Sequence, residues 1–408
     1  MVAFAEAAIA EPPSCEADTS LESLLQTPEG KRILTCIQCG TCAGTCPYGE
    51  HMDYPPRRII NLLRWGEIEE VFRSDSMLRC VSCYACMAKC PRGIRLSDVL
   101  LPLVKEQTLA SLPDLPSELQ KSLQNTLRYG NPMGESSRKR VQWTATAGTP
   151  IPLMAERGAQ GVDVLWFVEC YTSYYPRGQD GSRATARLFN ALGIDFAILG
   201  NEEKCAGDCG QLTWESGLFE TLTDYNMEIF KKYRFARLVT GDAHAYNAFR
   251  IRYPLYGFNY EVEHTTPFFA RHLESLKPKL KKRLDYTVTY HDSCCLGRRA
   301  GCYEEARALL QAIPGVKLVE MVHNRVNSIC CGGGGGGMWL DTFFKSKGME
   351  RLSERRVKEA IASGANVLAV SCPYEIFRFE DALKTLGHDK QMVVRDVTEL
   401  LAESLMEA

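Results

Sequence analysis

The chain has 408 residues, room for two or three domains, and its 45% hydrophobic content is enough to build globular cores. A formal net charge of −2 excludes the strong basic field of a nucleic-acid or membrane-surface binder, and no apolar run approaches the ~18 residues of a membrane helix. The opening Met-Val-Ala-Phe-Ala-Glu lacks the basic and apolar parts of an export signal. Eighteen cysteines in such a chain therefore predict metal ligation in a reducing compartment, the cytoplasm.

Residues 1–20 read as a flexible tail, with small side chains and Pro12-Pro13. Between 21 and 105 lie two runs of the form Cys-x2-Cys-x2-Cys-x3-Cys-Pro: Cys36, Cys39, Cys42, Cys46, Pro47 and Cys80, Cys83, Cys86, Cys90, Pro91. This spacing marks a two-cluster [4Fe–4S] ferredoxin domain, in which the fourth cysteine of each run ligates the other cluster. Cys36, Cys39, Cys42 and Cys90 are assigned to one cluster; Cys80, Cys83, Cys86 and Cys46 to the other. Zinc sites or a disulfide framework are the alternatives, but zinc usually takes pairs of Cys-x2-Cys. From Pro56 to Arg73, Ile59, Ile60, Leu62, Leu63, Ile68 and Val71 recur at helical spacing. This insert predicts a helical ferredoxin domain. Residues 106–160, rich in Pro, Ser, Gln and Gly, read as a connecting segment with some helix.

From about Gly161 short β-branched runs alternate with amphipathic stretches, which predicts parallel α/β structure. Strands are expected at Val162–Val168, Leu238–Thr240, Thr287–Tyr290 and Val367–Val370, and helices over Ala184–Leu192 and Ser353–Ile361. A repeat runs through this half, over 161–280 and 281–408. In the second copy Cys294 follows a strand, then come Cys330-Cys331-Gly332, then Cys372-Pro373-Tyr374-Glu375. In the first copy the corresponding groups are Cys170, then Cys205-Ala206-Gly207-Asp208, then Asp242-Ala243-His244-Ala245. Each group follows a strand, where open parallel sheets place their ligands.

These residues resemble the cysteine-rich CCG domain, whose motif is Cys, Cys-Cys-Gly and Cys-x-x-Cys, usually present twice. With the ferredoxin runs, the arrangement is similar to the D-type chain of heterodisulfide reductase, a fusion of that enzyme's C and B subunits. Cys36–Pro47, Cys80–Gly93, Tyr290–Arg298 and Cys330–Gly337 carry the likeness. It implies an α+β chain overall: an N-terminal helical two-[4Fe–4S] ferredoxin domain followed by a duplicated α/β CCG domain with parallel strands. In this family a complete set of five cysteines can hold a noncubane cluster that cleaves a disulfide. Relatives serve sulfite reduction, glycolate and lactate oxidation, and flavoprotein-to-quinone electron transfer.

Both copies depart from the motif. The first keeps only Cys170 and Cys205, with Cys209 and His244 as further candidates for a zinc ion or an unusual cluster; vestigial, merely buried cysteines are the alternative. The second offers Cys294, Cys330, Cys331 and Cys372 for a third [4Fe–4S] cluster, cubane or noncubane, with Glu375 in the fifth cysteine position and Cys295 beside it. Glycines 332–337 would let backbone approach that cluster. Cys295, His291 and Glu375 are the catalytic candidates; His291 and Asp292 could relay a proton. Arg298 and Arg299 read as anion contacts or surface charge, and His264 as a packed histidine. No Gly-x-Gly-x-x-Gly follows a strand, so flavin or nicotinamide chemistry must come from a partner. The expected function is an electron-transfer subunit of a multi-subunit complex, with flavoprotein, hydrogenase-type or quinone-linked membrane partners and a peripheral place at the inner membrane through them. A disulfide-reducing catalytic subunit and a partly zinc-bound scaffold are the alternatives.

Overall fold

The computed structural model describes residues 21–406 except 159 and 214, so the tail expected over 1–20 lies outside the described residues. The helical insert between the cysteine runs is two helices, Pro56–Trp65 and Glu69–Phe72, where the sequence predicts one stretch. Gly66 makes the break: it takes a left-handed conformation at φ 75° and returns its N–H to Leu62 and Leu63. Ile59, Ile60, Leu62, Leu63, Ile68 and Val71 are buried in one core with Leu96, Leu100, Leu101 and Val104 of the helix Leu96–Ser111. Each such aliphatic contributes about 1.5–3 kcal/mol on burial. A further helix, Ser117–Tyr129, stops at Gly130 and packs on the helix Ser216–Lys231.

The remainder is two four-stranded sheets. β1 (Val162–Phe167), β2 (Phe196–Ala197), β3 (Phe235–Thr240) and β4 (Glu261–His264) form the first, in the order β2-β1-β3-β4. β5 (Thr287–Tyr290), β6 (Lys317–Val319), β7 (Val367–Val370) and β8 (Val393–Asp396) form the second, in the order β6-β5-β7-β8. Every pairing is parallel. The shared strand order supports the duplication in three dimensions. β7 is buried at all four positions, as a strand covered on both faces must be.

The two sheets lean on each other through their helices. Pro176–Leu192 of the first half packs on Val397–Ser404 of the second, and Thr265–Arg271 on Glu305–Gln311. The swap is reciprocal, so the halves are related by a pseudo-twofold. Trp166 and Val239 share one core with Tyr290 and Ala369. Arg177 pins the junction, donating from Nε to Glu380 at 2.6 Å, from Nη1 to Glu399 at 2.8 Å and from Nη2 to the Val394 carbonyl at 2.8 Å.

This topology positions the cysteines. The chain reverses its direction of winding between β1 and β3, and again between β5 and β7, and ligands sit beyond the carboxyl ends of strands at such points. Cys170 and Asp242 follow β1 and β3; Cys294 and Cys372 follow β5 and β7.

Candidate functional site

The two ferredoxin-type runs fold alike. In the first, Gln38 and Gly40 have φ of 57° and 82°; in the second, Ser82 and Tyr84 have φ of 49° and 60°. The left-handed residues thus fall at matching places, two after the first cysteine and one after the second. Three of them carry a Cβ, a conformation that costs about 1–3 kcal/mol each and clusters at functional loops. Such alternation bends the chain around a centre and turns amide N–H groups inward. The Gln38 N–H points at the Cys36 sulfur, 3.4 Å away.

One pocket is lined by Cys36, Cys39, Cys42 and Cys90, together with Cys86. A second is lined by Cys46, Cys80, Cys83 and Cys86. Burial pushes the Cys42 thiol up to about 11 and the Cys46 and Cys86 thiols further. Cys39 is exposed, and the Thr41 hydroxyl at 3.3 Å lowers its thiol pKa. All cysteines among the described residues are free. Free thiols crowded around each pocket fit ligation by iron, whose charge stabilises the thiolates.

In the second half, Cys294, Cys295, Cys330, Cys331 and Cys372 are all buried, the most exposed at 6%. The loop after β6 brings Cys330 beside Cys294, and Cys331 beside Cys330. Gly332 and Gly333 aim their N–H groups at the Cys330 and Cys331 sulfurs, at 3.3 and 3.4 Å. Gly332 does so at φ 81°. The Cys83 side chain of the second ferredoxin-type run packs on the buried cluster that holds Cys294, Cys330 and Cys331, and the neighbouring Cys330 thiol together with burial raises the Cys83 pKa well above the ordinary range. The glycine run seals the same junction: a Cβ on Gly334 would come within 2.6 Å of the Val81 carbonyl oxygen, and one on Gly335 within 2.1 Å of the Cys80 carbonyl oxygen.

His291 Nδ1 accepts from Arg356 Nε at 3.0 Å, so its proton sits on Nε2, which lies 3.4 Å from Glu375. The His291, Cys331 and Glu375 ligand atoms lie within 4.8 Å of one another. Asp292 is otherwise engaged: Arg307 clamps both its oxygens at 2.7 and 2.9 Å, which makes it structural. His264 is a packed histidine, accepting the Thr266 N–H at the start of its helix, and burial pulls its pKa down to about 4.

In the first half, Glu169, Cys170 and Cys205 converge within 4.8 Å, and Cys209 lies 3.7 Å from Cys205. Glu169 takes φ 74° to turn its carboxylate onto the Cys170 and Ala206 N–H groups. Buried Arg140 places Nη2 3.1 Å from the Cys170 sulfur and pairs with buried Glu203. A guanidinium at that distance suits a thiolate or an anionic group, and it opposes a second cation at the same sulfur. His244 is held elsewhere. It reaches across the pseudo-twofold to Cys372, with Nδ1 3.9 Å from that sulfur and 3.6 Å from Asp242. The first half's replaced Cys-x-x-Cys segment therefore borders the second half's site. Asp208 joins it, accepting from Tyr374 at 3.2 Å, and burial lifts its carboxyl to about 6.

Arg298 and Arg299 are not surface charge. Arg298 donates to the Cys83 carbonyl at 2.9 Å and to the Val326 carbonyl at 3.1 Å; Arg299 pairs with Asp98 and covers the Tyr84 ring. Lys105 and Arg140 also flank the cysteines, and sequence reasoning misses them because lone basic residues usually face water.

The cysteine-rich domain family called CCG matches residues 164–250 and 288–374, and the 4Fe-4S dicluster domain family matches 35–95. The chain is 35% identical over 297 residues to the "Probable iron-sulfur-binding oxidoreductase FadF" of Bacillus subtilis, covering 72% of this chain and 42% of that one. It is 30% identical over 297 residues to the "EtfAB:quinone oxidoreductase" of Syntrophomonas wolfei, covering 72% and 41%. It is 33% identical over 289 residues to the D-type chain of the dihydromethanophenazine:CoB--CoM heterodisulfide reductase of Methanosarcina barkeri, covering 68% and 66%. The chain thus spans about two fifths of the length of the first two relatives.

Proposed function

The chain belongs to the family of CCG-domain iron–sulfur proteins that resemble the D-type chain of heterodisulfide reductase and have an electron-transfer role, and from that membership we propose that it is the electron-carrying subunit of a larger redox complex. In this reading Cys36, Cys39, Cys42 and Cys90 hold one [4Fe–4S] cluster, Cys46, Cys80, Cys83 and Cys86 a second, and Cys294, Cys330, Cys331 and Cys372 a third. The clusters supply one-electron storage. The chain's own residues do the rest. The left-handed loops fix the thiolates, the N–H groups of Gln38, Gly332 and Gly333 stabilise their charge, and buried packing excludes water.

One observation carries the reading: Cys83 of the ferredoxin-type half packs on the buried cluster that holds Cys294, Cys330 and Cys331 of the CCG half, with Arg298 after Cys294 donating to the Cys83 carbonyl at 2.9 Å. Two ligand sets packed together let an electron pass without a mobile carrier. Burial of the second CCG site favours a conduit over disulfide cleavage, which needs substrate sulfur at the metal; every cysteine there, and Glu375 and His291, is at most 6% exposed. The Arg140 guanidinium at Cys170 weighs against a zinc scaffold. The name of one relative, an EtfAB:quinone oxidoreductase, supports a quinone-linked partner. Among the described residues no helix is long and apolar enough to cross a membrane, so quinone chemistry would fall to a partner.

Anaerobic iron and sulfide analysis with electron paramagnetic resonance tests this. About twelve irons per chain are expected; about eight would remove the CCG cluster from the account. Turnover of a disulfide with an artificial donor would replace the conduit with the catalytic reading.

A further inference from the structure

Lys105 stands on the helix Leu96–Ser111 with 4% of its surface exposed. Its Nζ donates to the Cys80 carbonyl at 2.6 Å, the Ser82 hydroxyl at 3.3 Å and the Leu212 carbonyl at 3.3 Å. Two of these acceptors are carbonyls, which can only accept, and together the three use all the donors of an ammonium. Among the described residues it pairs with no carboxylate. Its surroundings are apolar, with Met77, Leu78, Leu109 and Leu119 lining the adjoining space. Gly335 closes the last side, where a Cβ would come within 2.7 Å of Nζ. A cation stripped of water in this way needs an anion. Burial pulls the Lys105 pKa down, and the Cys80 and Cys83 sulfurs, anionic when they ligate iron, act against that shift.

A second buried cation faces the same run. Arg298 donates to the Cys83 carbonyl at 2.9 Å, and its charge acts on Cys83, Cys294 and Cys330. Among the described residues the other ferredoxin-type set has no such partner: Arg57 and Arg92 line its pocket but are exposed, so solvent and salt screen them. The nearby acids on the Lys105 side are spoken for, Asp75 by Arg79 and Lys347, and Asp98 by Arg95 and Arg299.

We propose that Lys105, with Arg298, is the fixed counter-charge that makes the Cys46/Cys80/Cys83/Cys86 cluster the higher-potential of the two ferredoxin-type clusters. Gaining an electron adds one negative charge to a cluster, and a buried cation beside it stabilises that state with little screening. One electron leaves the Cys36/Cys39/Cys42/Cys90 side, which is oxidised, and settles on the Cys46/Cys80/Cys83/Cys86 side, which is reduced. That side is the one packed on the buried residues around Cys330. Lys105 acts through field and position, touching no substrate. The inference rests on the two-cluster part of the proposed function only, so an iron count of about eight would defeat the CCG reading and leave this test standing.

The experiment is a redox titration of the intact, iron-loaded protein followed by electron paramagnetic resonance. The unaltered protein is expected to resolve two ferredoxin-type midpoints; one shared midpoint overturns the proposal. Lys105→Gln keeps donors for the carbonyls and removes the charge. It should lower the higher midpoint by at least a tenfold change in the one-electron equilibrium, about 59 mV, and leave the lower one in place. Lys105→Arg should restore it. A Lys105→Gln protein with full iron content and both midpoints unmoved overturns the proposal.

Discussion

Gly335→Ala is the sharpest perturbation of the junction between the two halves. At φ 60° an alanine adopts a left-handed conformation that costs about 1–2 kcal/mol. Its Cβ would come within 2.1 Å of the Cys80 carbonyl oxygen and 2.9 Å of the Val81 Cα, both backbone, so neither can swing aside. Forced overpacking adds about 1–3 kcal/mol. The sum is about 2–5 kcal/mol, directed at the packing of Cys83 on the buried residues around Cys330. Gly333→Ala, two residues away in the same glycine run, is the control. Its φ is not positive, and its Cβ would meet the flexible Met338 sulfur at 3.3 Å. Thermal unfolding of both variants, loaded anaerobically to equal iron content, reads the difference. Gly335→Ala should lower Tm by roughly 2–6 °C relative to Gly333→Ala. Equal melting of the two would refute the argument that the glycines exist for close backbone approach.

Other outcomes follow from single contacts. Arg140→Met strands buried Glu203 and should destabilise the protein by about 3–5 kcal/mol in denaturant unfolding, with Arg140→Met/Glu203→Gln recovering part of the loss. Asp396 caps the helix Val397–Ser404, yet burial outweighs its hydrogen bonds and lifts its carboxyl to about 7, above an unfolded value of 3.8. The folded state therefore holds the proton longer, and stability falls as pH rises from about 4 through about 7. Between pH 6 and pH 8 the protein should lose roughly 1 kcal/mol relative to Asp396→Asn, measured by guanidinium unfolding at each pH. His244→Ala should alter the resonance signal of the second CCG site, 3.9 Å away through Cys372, and leave both ferredoxin-type signals intact. A change confined to the first half would contradict that placement.

The parts that sequence reveals are those where chemistry dictates spacing or burial dictates pattern. The cysteine runs are legible because holding an iron–sulfur cluster constrains the intervals between ligands. β5 and β7 are legible as unbroken β-branched or apolar runs at central positions. β2, β4, β6 and β8 are not, because each lies at a sheet edge and pairs on one side. β4 reads Glu-Val-Glu-His and β6 begins at Lys317. The helix Pro176–Leu192 is visible only from Ala184. Its first turns carry buried Gly178, Gly181 and Ser182, and Gly178 admits a close neighbour: a Cβ there would meet the Tyr171 carbonyl at 2.4 Å. His244 illustrates the limit of motif spacing. Its sequence position joins it to the first repeat, but the pseudo-twofold carries it to Cys372 of the second. Lys105 and Arg140 are hidden for a related reason, since only tertiary packing takes a basic side chain out of water.

The proposed route makes the second ferredoxin-type set and the second CCG site adjacent electron stations. Electron paramagnetic resonance of the fully reduced, anaerobic protein tests this directly through the magnetic coupling between reduced clusters. A coupled signal is expected, which Cys330→Ser/Cys331→Ser removes while the two ferredoxin-type signals persist. Uncoupled ferredoxin-type signals alone, unchanged by that substitution in a protein of full iron content, would contradict it.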